Sequence, residues 1–308
     1  MTNILEEYDF GGFKSGYVAL LGKPNVGKST LINAFLGQKI AAVSHKPQTT
    51  RRRQLGILTT ENAQVIFVDT PGLHKGSYKL SEFINWEARY ALMDADLILF
   101  IVDGSQMPDE EDRLLAQEVA DKAPITPKFL VLNKIDLLKP AELEKNKIAH
   151  ADLLDFIDQI NISAITTAGQ DALLNRIIAL LPEGPKYFPD DQVTETYERA
   201  IAEDLIRSAA FNYLSDEIPY GLYVQVEDYK LRDNGMLYIH AKLILEREAH
   251  KGIVIGKKGG MIKQISTAAR QEIEEMSGNP VFIELKVVVE KNWRNDKRFL
   301  RQHGLSHD

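Results

Sequence analysis

The 308 residues include no cysteine. Disulfides, thiolate metal sites and cysteine nucleophiles are therefore excluded, and a reducing compartment fits best. No apolar run approaches the ~20 residues of a membrane-spanning helix. The opening stretch, MTNILEEYDFGGFKSG, lacks the basic-then-apolar order of a secretion signal. A cytoplasmic protein is the expectation. An overall excess of positive charge is missing too, since the formal net charge is −7. The charge is unevenly spread, however. Lys242 to Arg301 holds 13 Lys and Arg against 8 Asp and Glu, a local net of +5, which leaves −12 for the remainder. That asymmetry points to a basic binding surface in the C-terminal part. The length suggests about two domains, and a hydrophobic fraction of 44% is ample for their cores.

What is present begins with GKPNVGKST, Gly22 to Thr30, which fits a G-x-x-x-x-G-K-[ST] loop. An apolar run, Tyr17 to Leu21, precedes it and reads as a buried parallel strand. A helix with one apolar face follows from Ser29 and stops at Gly37. Strand, glycine loop and helix N-terminus together form a nest of N–H groups suited to a polyphosphate. Gly22 and Gly27 let the backbone come close to the anion. Asn25, Val26 and Thr30 complete the loop. Lys28 reaches the β- and γ-phosphates, and the Ser29 hydroxyl is placed to ligate Mg²⁺.

Residues 38 to 56 are polar and basic, as expected of a loop that responds to a γ-phosphate. Thr50, with Thr49 as the alternative, is the candidate to close the Mg²⁺ shell. The plainer reading of this stretch is a turn with solvated arginines. Gln54–Thr59 and Gln64–Asp69 read as a strand pair. The second ends in DTPG, where Asp69 is a candidate Mg²⁺ holder and the Gly72 N–H a candidate γ-phosphate contact. Lys28, Thr50 and Gly72 are the expected catalytic set. Helices are predicted over Leu80–Met93, Glu110–Lys122, Ala141 to about Phe156 and Gln170–Leu181. Strands are predicted over Asp96–Asp103, Lys128–Leu132 and Ile160–Ser163. The last-but-one strand runs into NKID, Asn133 to Asp136. Asp136 can accept from both guanine N1–H and the 2-amino group, a donor pair that adenine lacks. Asn133 braces the neighbouring loops and the Lys134 stem lies over the base. Ser163, Ala164 and Ile165 form the weaker last motif, with the Ala164 N–H facing guanine O6. Alternating strands and helices imply an α/β domain with a mostly parallel sheet and helices on both faces. Its expected span is 16–182, after a tail at 1–15.

A Pro-, Gly- and Asp-rich stretch over residues 183–192 reads as a linker. The domain after it, 193–308, opens with a helix over Val193–Leu214. A hairpin follows, Tyr220–Lys230 and Met236–Leu245, turning at Asp233-Asn234-Gly235. A short apolar helical piece, Ile253 to Ile255, then meets Gly256-Lys257-Lys258-Gly259. A second helix, Met261–Met276, a strand, Val281–Val289, and a basic helix, Trp293–Gln302, complete the chain. A G-x-x-G loop between two helices beside a three-stranded sheet describes a KH domain of α+β type II arrangement. Such a loop clamps single-stranded nucleotides. Ile253, Ile255, Gly256, Lys257, Lys258 and Gly259 are the candidate RNA contacts. Both glycines allow close backbone approach, and the two lysines attract phosphates.

A P-loop GTPase domain with PQTTR and DTPGLH, then a KH domain with IVIGKKG and a terminal KNWRNDKRFLRQHG, resembles the Era GTPases of bacteria. The resemblance runs from Gly16 to the end. It implies slow GTP hydrolysis to GDP with Mg²⁺, and that Asn25 helps place a K⁺ ion near the phosphates. It also implies binding to the single-stranded 3′ end of small-subunit ribosomal RNA, a role in 30S assembly, and a monomer that is cytoplasmic with peripheral contact to the inner membrane. Leu73 stands where Ras-like enzymes carry the water-orienting glutamine, matching the family's hydrophobic replacement. His74 is a candidate substitute, although a lone loop histidine is more often solvated. Three consecutive arginines, Arg51 to Arg53, depart from the family pattern. The alternative function is a GTPase whose KH-like module binds protein or organises membrane-associated complexes.

Overall fold

The computed structural model describes residues 10–42, 51, 53–70 and 78–306. Thr49, Thr50, Gly72, Leu73 and His74 lie outside the described residues. Two compact units emerge. The first takes in the described residues up to Leu36, Leu55–Asp69 and Tyr90–Glu195. The second takes in Gly37–Gln54, Thr70–Arg89 and the residues from Thr196 onward.

In the first unit, β1 (Lys14–Leu21), α1 (Lys28–Leu36), β2 (Gln54–Thr59) and β3 (Ala63–Asp69) come first, then α2 (Lys79–Met93), which begins in the second unit. β4 (Leu97–Asp103), α3 (Glu110–Lys122), β5 (Lys128–Asn133), α4 (Pro140–Ala151), β6 (Asp158–Asn161) and α5 (Gln170–Leu180) complete it. The strand order is β2-β3-β1-β4-β5-β6. The pairings of β1 with β3, β1 with β4, β4 with β5 and β5 with β6 are all parallel. Leu97–Val102 and Phe129–Leu132 are wholly buried, which explains their unbroken apolar sequence. Each such Leu, Ile or Phe contributes about 1.5–3 kcal/mol on burial. Because these strands run the same way, Asp69, Asp103, Asn133 and Asn161 end along one edge of the sheet.

β6 spans Asp158–Asn161, two residues earlier than its apolar content predicts. Its register on β5, Phe129 with Asp158 through Leu132 with Asn161, sets the span instead. α4 stops at Ala151, where Leu153 N–H turns back to His150 O. Residues 183–193 run along this unit. Gly184 N–H donates to Phe13 O, Tyr187 and Phe188 N–H donate to Gln64 Oε1, and Ile57 N–H donates to Val193 O. The following helix, α6 (Glu198–Tyr213), begins only after Tyr197, which is extended (φ −61°, ψ 140°).

The second unit contains α6 (Glu198–Tyr213), β7 (Leu222–Leu231), β8 (Leu237–Leu245), α7 (Glu248–Ile255), α8 (Gly260–Ser277), β9 (Val281–Val289) and α9 (Lys297–Gln302). Its sheet order is β7-β8-β9, antiparallel then parallel. Ile265, Ala269 and Ile273 give α8 its buried face at helical spacing. Leu80, Phe83 and Ile84 of α2 share a cluster with Tyr223, Ile244, Trp293, Leu300 and Leu305. The terminal basic helix predicted from Trp293 is broken. Trp293 is buried and its Nε1–H donates to Gly221 O at 3.0 Å, after which Asp296 caps a new helix through the N–H groups of Arg298 and Phe299.

Candidate functional site

The phosphate-loop candidates lie between β1 and α1. Lys28 is buried, and its ammonium donates to Gly22 O at 2.8 Å and Lys23 O at 3.0 Å. Burial pulls its pKa down, and Asp69 works in the opposite direction. Ser29 Oγ donates to Asp69 Oδ2 at 2.8 Å, so the two hard oxygen donors expected for Mg²⁺ are adjacent. This donor set suits that ion.

The glycines have a nearer reason than the anion. A Cβ on Gly22 would fall 2.2 Å from Ile101 O. One on Gly27, whose φ is +103°, would fall 2.2 Å from Asn133 Nδ2. Gly27 therefore allows the base motif to touch the phosphate loop. Asn133 Nδ2 donates to Val26 O at 2.7 Å, and Asn133 Oδ1 accepts from Ala164 N–H at 2.8 Å. One side chain thus joins three motifs, as the bracing role requires. The Ala164 N–H, expected to face guanine O6, is held by Asn133. Ser163 O accepts from Gln170 Nε2 at 3.0 Å, which fixes this last loop. Asp136 is exposed at the start of a short turn over Ile135–Leu137, and Ile165 is also exposed. Asn25 and Lys134 both adopt positive φ, 66° and 65°. Asn25 is exposed and Thr30 half-buried.

Sequence reasoning passed over the carboxylates that partner two lysines here. Lys23 Nζ lies 2.6 Å from Asp109 Oδ2 and 2.8 Å from Asp112 Oδ2. Lys134 Nζ lies 2.6 Å from Asp103 Oδ2. Asp103 ends an apolar strand just as Asp69 does, and that shared position was the available signal.

In the second unit, α7 ends at Ile255 and the G-x-x-G turn follows. Gly256 has φ +73°, and a Cβ there would meet Met261 N at 2.7 Å. Gly259 has φ +76° and open space around its Cβ position. Lys257 and Lys258 are exposed, Ile253 is exposed and Ile255 half-buried. Arg51 is not solvated. It is buried, donating to Leu222 O at 2.9 Å and Tyr220 O at 3.2 Å.

A family model described as 50S ribosome-binding GTPase matches residues 17–134, and one described as KH domain matches residues 217–294. GTPase Era of Geobacter metallireducens is 43% identical, with 96% of this chain and 98% of that protein covered. GTPase Era of Thermoanaerobacter sp. is 44% identical, with the same shares covered. A crystal structure of a variant of Aquifex aeolicus Era bound to GDP and AlF4⁻ matches with TM-score 0.89 and 36% identity, covering 96% of this chain and 100% of that one. Another, of Era with MgGDPNP and nucleotides 1506–1542 of 16S ribosomal RNA, matches with TM-score 0.86 and 37% identity, covering 96% and 99%. With relatives this similar over nearly the full length of both chains, and with both loops present, the chain belongs to the Era family of GTPases.

Proposed function

We propose that the protein is a GTP-binding switch that hydrolyses GTP to GDP and binds the 3′ end of small-subunit ribosomal RNA in 30S subunit assembly. One observation carries this reading: a strand–glycine loop–helix site and a G-x-x-G turn with two exposed lysines occur on one chain. A relative matched over 99% of its chain was crystallised with both ligands, a GTP analogue and a 16S ribosomal RNA fragment.

The nucleotide site works through this chain's own groups. The N–H groups at the start of α1 face the phosphates, and the Lys28 ammonium offsets their charge. Asp136 selects guanine, and Asn133 keeps the base motif against Val26. Ser29 and Asp69 would hold Mg²⁺, with Thr50 joining them. When bound, that ion neutralises charge developing on the β- and γ-phosphate oxygens. Thr50 and Gly72 sense the γ-phosphate. Leu73 offers no hydrogen bond to water, so intrinsic turnover is slow. Ile253, Ile255 and the Gly256–Gly259 turn grip single-stranded RNA, and the lysines add salt-dependent attraction. Residues 16–182 are the GTPase domain and 193–308 the KH domain. No helix among the described residues is long and apolar enough to cross a membrane. We place the protein in the cytoplasm, with any membrane contact peripheral.

Titration of the full chain with a fluorescent GDP and, separately, with a single-stranded oligoribonucleotide from the 3′ end of 16S ribosomal RNA tests both halves. Binding of each ligand is expected, with RNA affinity falling steeply as salt rises. GDP binding without any RNA binding would instead favour a protein partner for the KH module.

A further inference from the structure

Ion pairs made by two lysines of the nucleotide motifs, Lys23 and Lys134, tie opposite ends of the site to a single stretch of chain. β4 ends at Asp103, α3 begins at Glu110, and residues 103–112 join the two. At the first end, Asp103 Oδ2 lies 2.6 Å from Lys134 Nζ. Asp103 Oδ1 is itself held by the Ser105 N–H at 3.0 Å and the Ser105 hydroxyl at 2.5 Å. The carboxylate is therefore fixed before it meets the lysine. At the other end, Asp109 and Asp112 form a reciprocal capping box and share Lys23 between them. Lys23 follows Gly22 directly, and the main-chain carbonyls of both accept from Lys28. Anchoring Lys23 thus anchors the acceptors that hold Lys28.

The middle is tied as well. The Gly104 N–H donates to Asn133 O at 2.8 Å, and Asn146 Nδ2 donates to Gly104 O at 2.8 Å. Burial works against the charge on Lys23, but the hydrogen bonds that it donates to Asp109 and Asp112 outweigh it and hold the pKa above the usual lysine range. Burial likewise opposes the Asp103 charge, and Lys134 and Ser105 keep that pKa below the usual carboxylate range.

We propose that residues 103–112 act as a two-ended positioning strut. Asp103 sets Lys134 over the base, and Asp109 with Asp112 sets Lys23, and through it Lys28, at the phosphates. The inference rests on the guanine-nucleotide reading of this site. It separates the two ends by ligand, because the base contact is common to GMP, GDP and GTP whereas the Lys28 contact begins with the β-phosphate.

Competition binding of GMP, GDP and a non-hydrolysable GTP analogue to the full chain tests it. Asp103→Asn is expected to weaken all three by the same factor, about tenfold. Lys134→Met should do the same, and adding Asp103→Asn to it should cost nothing more. Asp109→Asn combined with Asp112→Asn should weaken GDP and the GTP analogue about tenfold and leave GMP within about twofold. That loss should vanish in a Lys23→Met background. The strut is overturned if both sets of variants bind as the wild type does. It is also overturned if both weaken all three ligands alike with no coupling to either lysine. A wild-type protein that binds none of the three would overturn the guanine-nucleotide reading, and the strut with it.

Discussion

The guanidinium of Arg51 lies 5.6 Å from the centre of the Trp293 ring, inside the second compact unit. Two carbonyls, those of Leu222 and Tyr220, accept its hydrogen bonds. Burial, and then Arg207 and Arg294, pull its pKa down to about 9, which leaves it cationic at pH 7. Arg51 directly follows Thr50 in the chain, so the segment assigned to γ-phosphate sensing is covalently next to an anchored side chain. Arg51→Ala leaves these two carbonyls, one buried and one half-buried, without that donor and removes the contact with Trp293. A loss of about 2 kcal/mol is expected, read as a fall in thermal midpoint by circular dichroism. An unchanged midpoint would show that the contact adds nothing to the folded state.

Asp136→Asn should convert a double acceptor into a group that repels the guanine donors. GTP affinity is expected to drop roughly 10³- to 10⁵-fold while xanthosine triphosphate affinity rises. Equilibrium binding of both nucleotides to the variant checks this, and undiminished GTP selectivity would refute the assignment.

The RNA turn offers a cleaner substitution at its second glycine than at its first. Gly256→Asp drives a side chain into Met261, so lost binding there mixes clamp damage with repacking at the start of α8. Gly259→Asp meets nothing within 4 Å, and its left-handed backbone costs about 1 kcal/mol. It places a negative charge at the expected backbone clamp, and oligoribonucleotide affinity should fall about tenfold with the circular dichroism spectrum unchanged. Wild-type RNA affinity in this variant would remove the turn from the interface.

His150 carries the pH dependence. It is buried in α4 with Nδ1 2.8 Å from Asn146 O, facing Asp112, Lys23 and Asp103. Burial lowers its pKa from the ordinary 6.5, although the Asn146 carbonyl and Asp112 partly offset this. The unfolded chain therefore takes up this proton at a higher pH than the folded one. Stability present above pH 6.5 is lost as pH falls below it, until the folded state also protonates. Urea midpoints measured between about pH 7.5 and 5.5 should fall for the wild type and fall less for His150→Gln. Equal slopes would rule out His150 as the source.

Several features were legible because their physics is local. A strand, a glycine loop and a helix are adjacent in the chain, so Gly22 to Thr30 announces its chemistry by spacing alone. The apolar runs of β4 and β5 and the period of α8 are similarly self-contained. β6 was displaced because its limits come from pairing with β5 rather than from its own hydrophobicity. The terminal helix broke because Trp293 turns inward to Gly221, a partner far away in the chain.

By itself, then, the sequence determined which groups grip phosphate, choose a base and form the G-x-x-G turn, since each depends on neighbours a few residues apart. The tertiary structure alone decided which charges have partners. Of the consecutive arginines, Arg51 is buried against Trp293 while Arg53 is exposed and pairs with Glu87 at 4.0 Å, and composition cannot distinguish the two. Asp103 finds Lys134 because β4 and β5 lie in parallel register with Asp103 opposite Asn133. That pairing belongs to the sheet, where the hydrogen-bond ladder rather than chain distance sets which side chains meet.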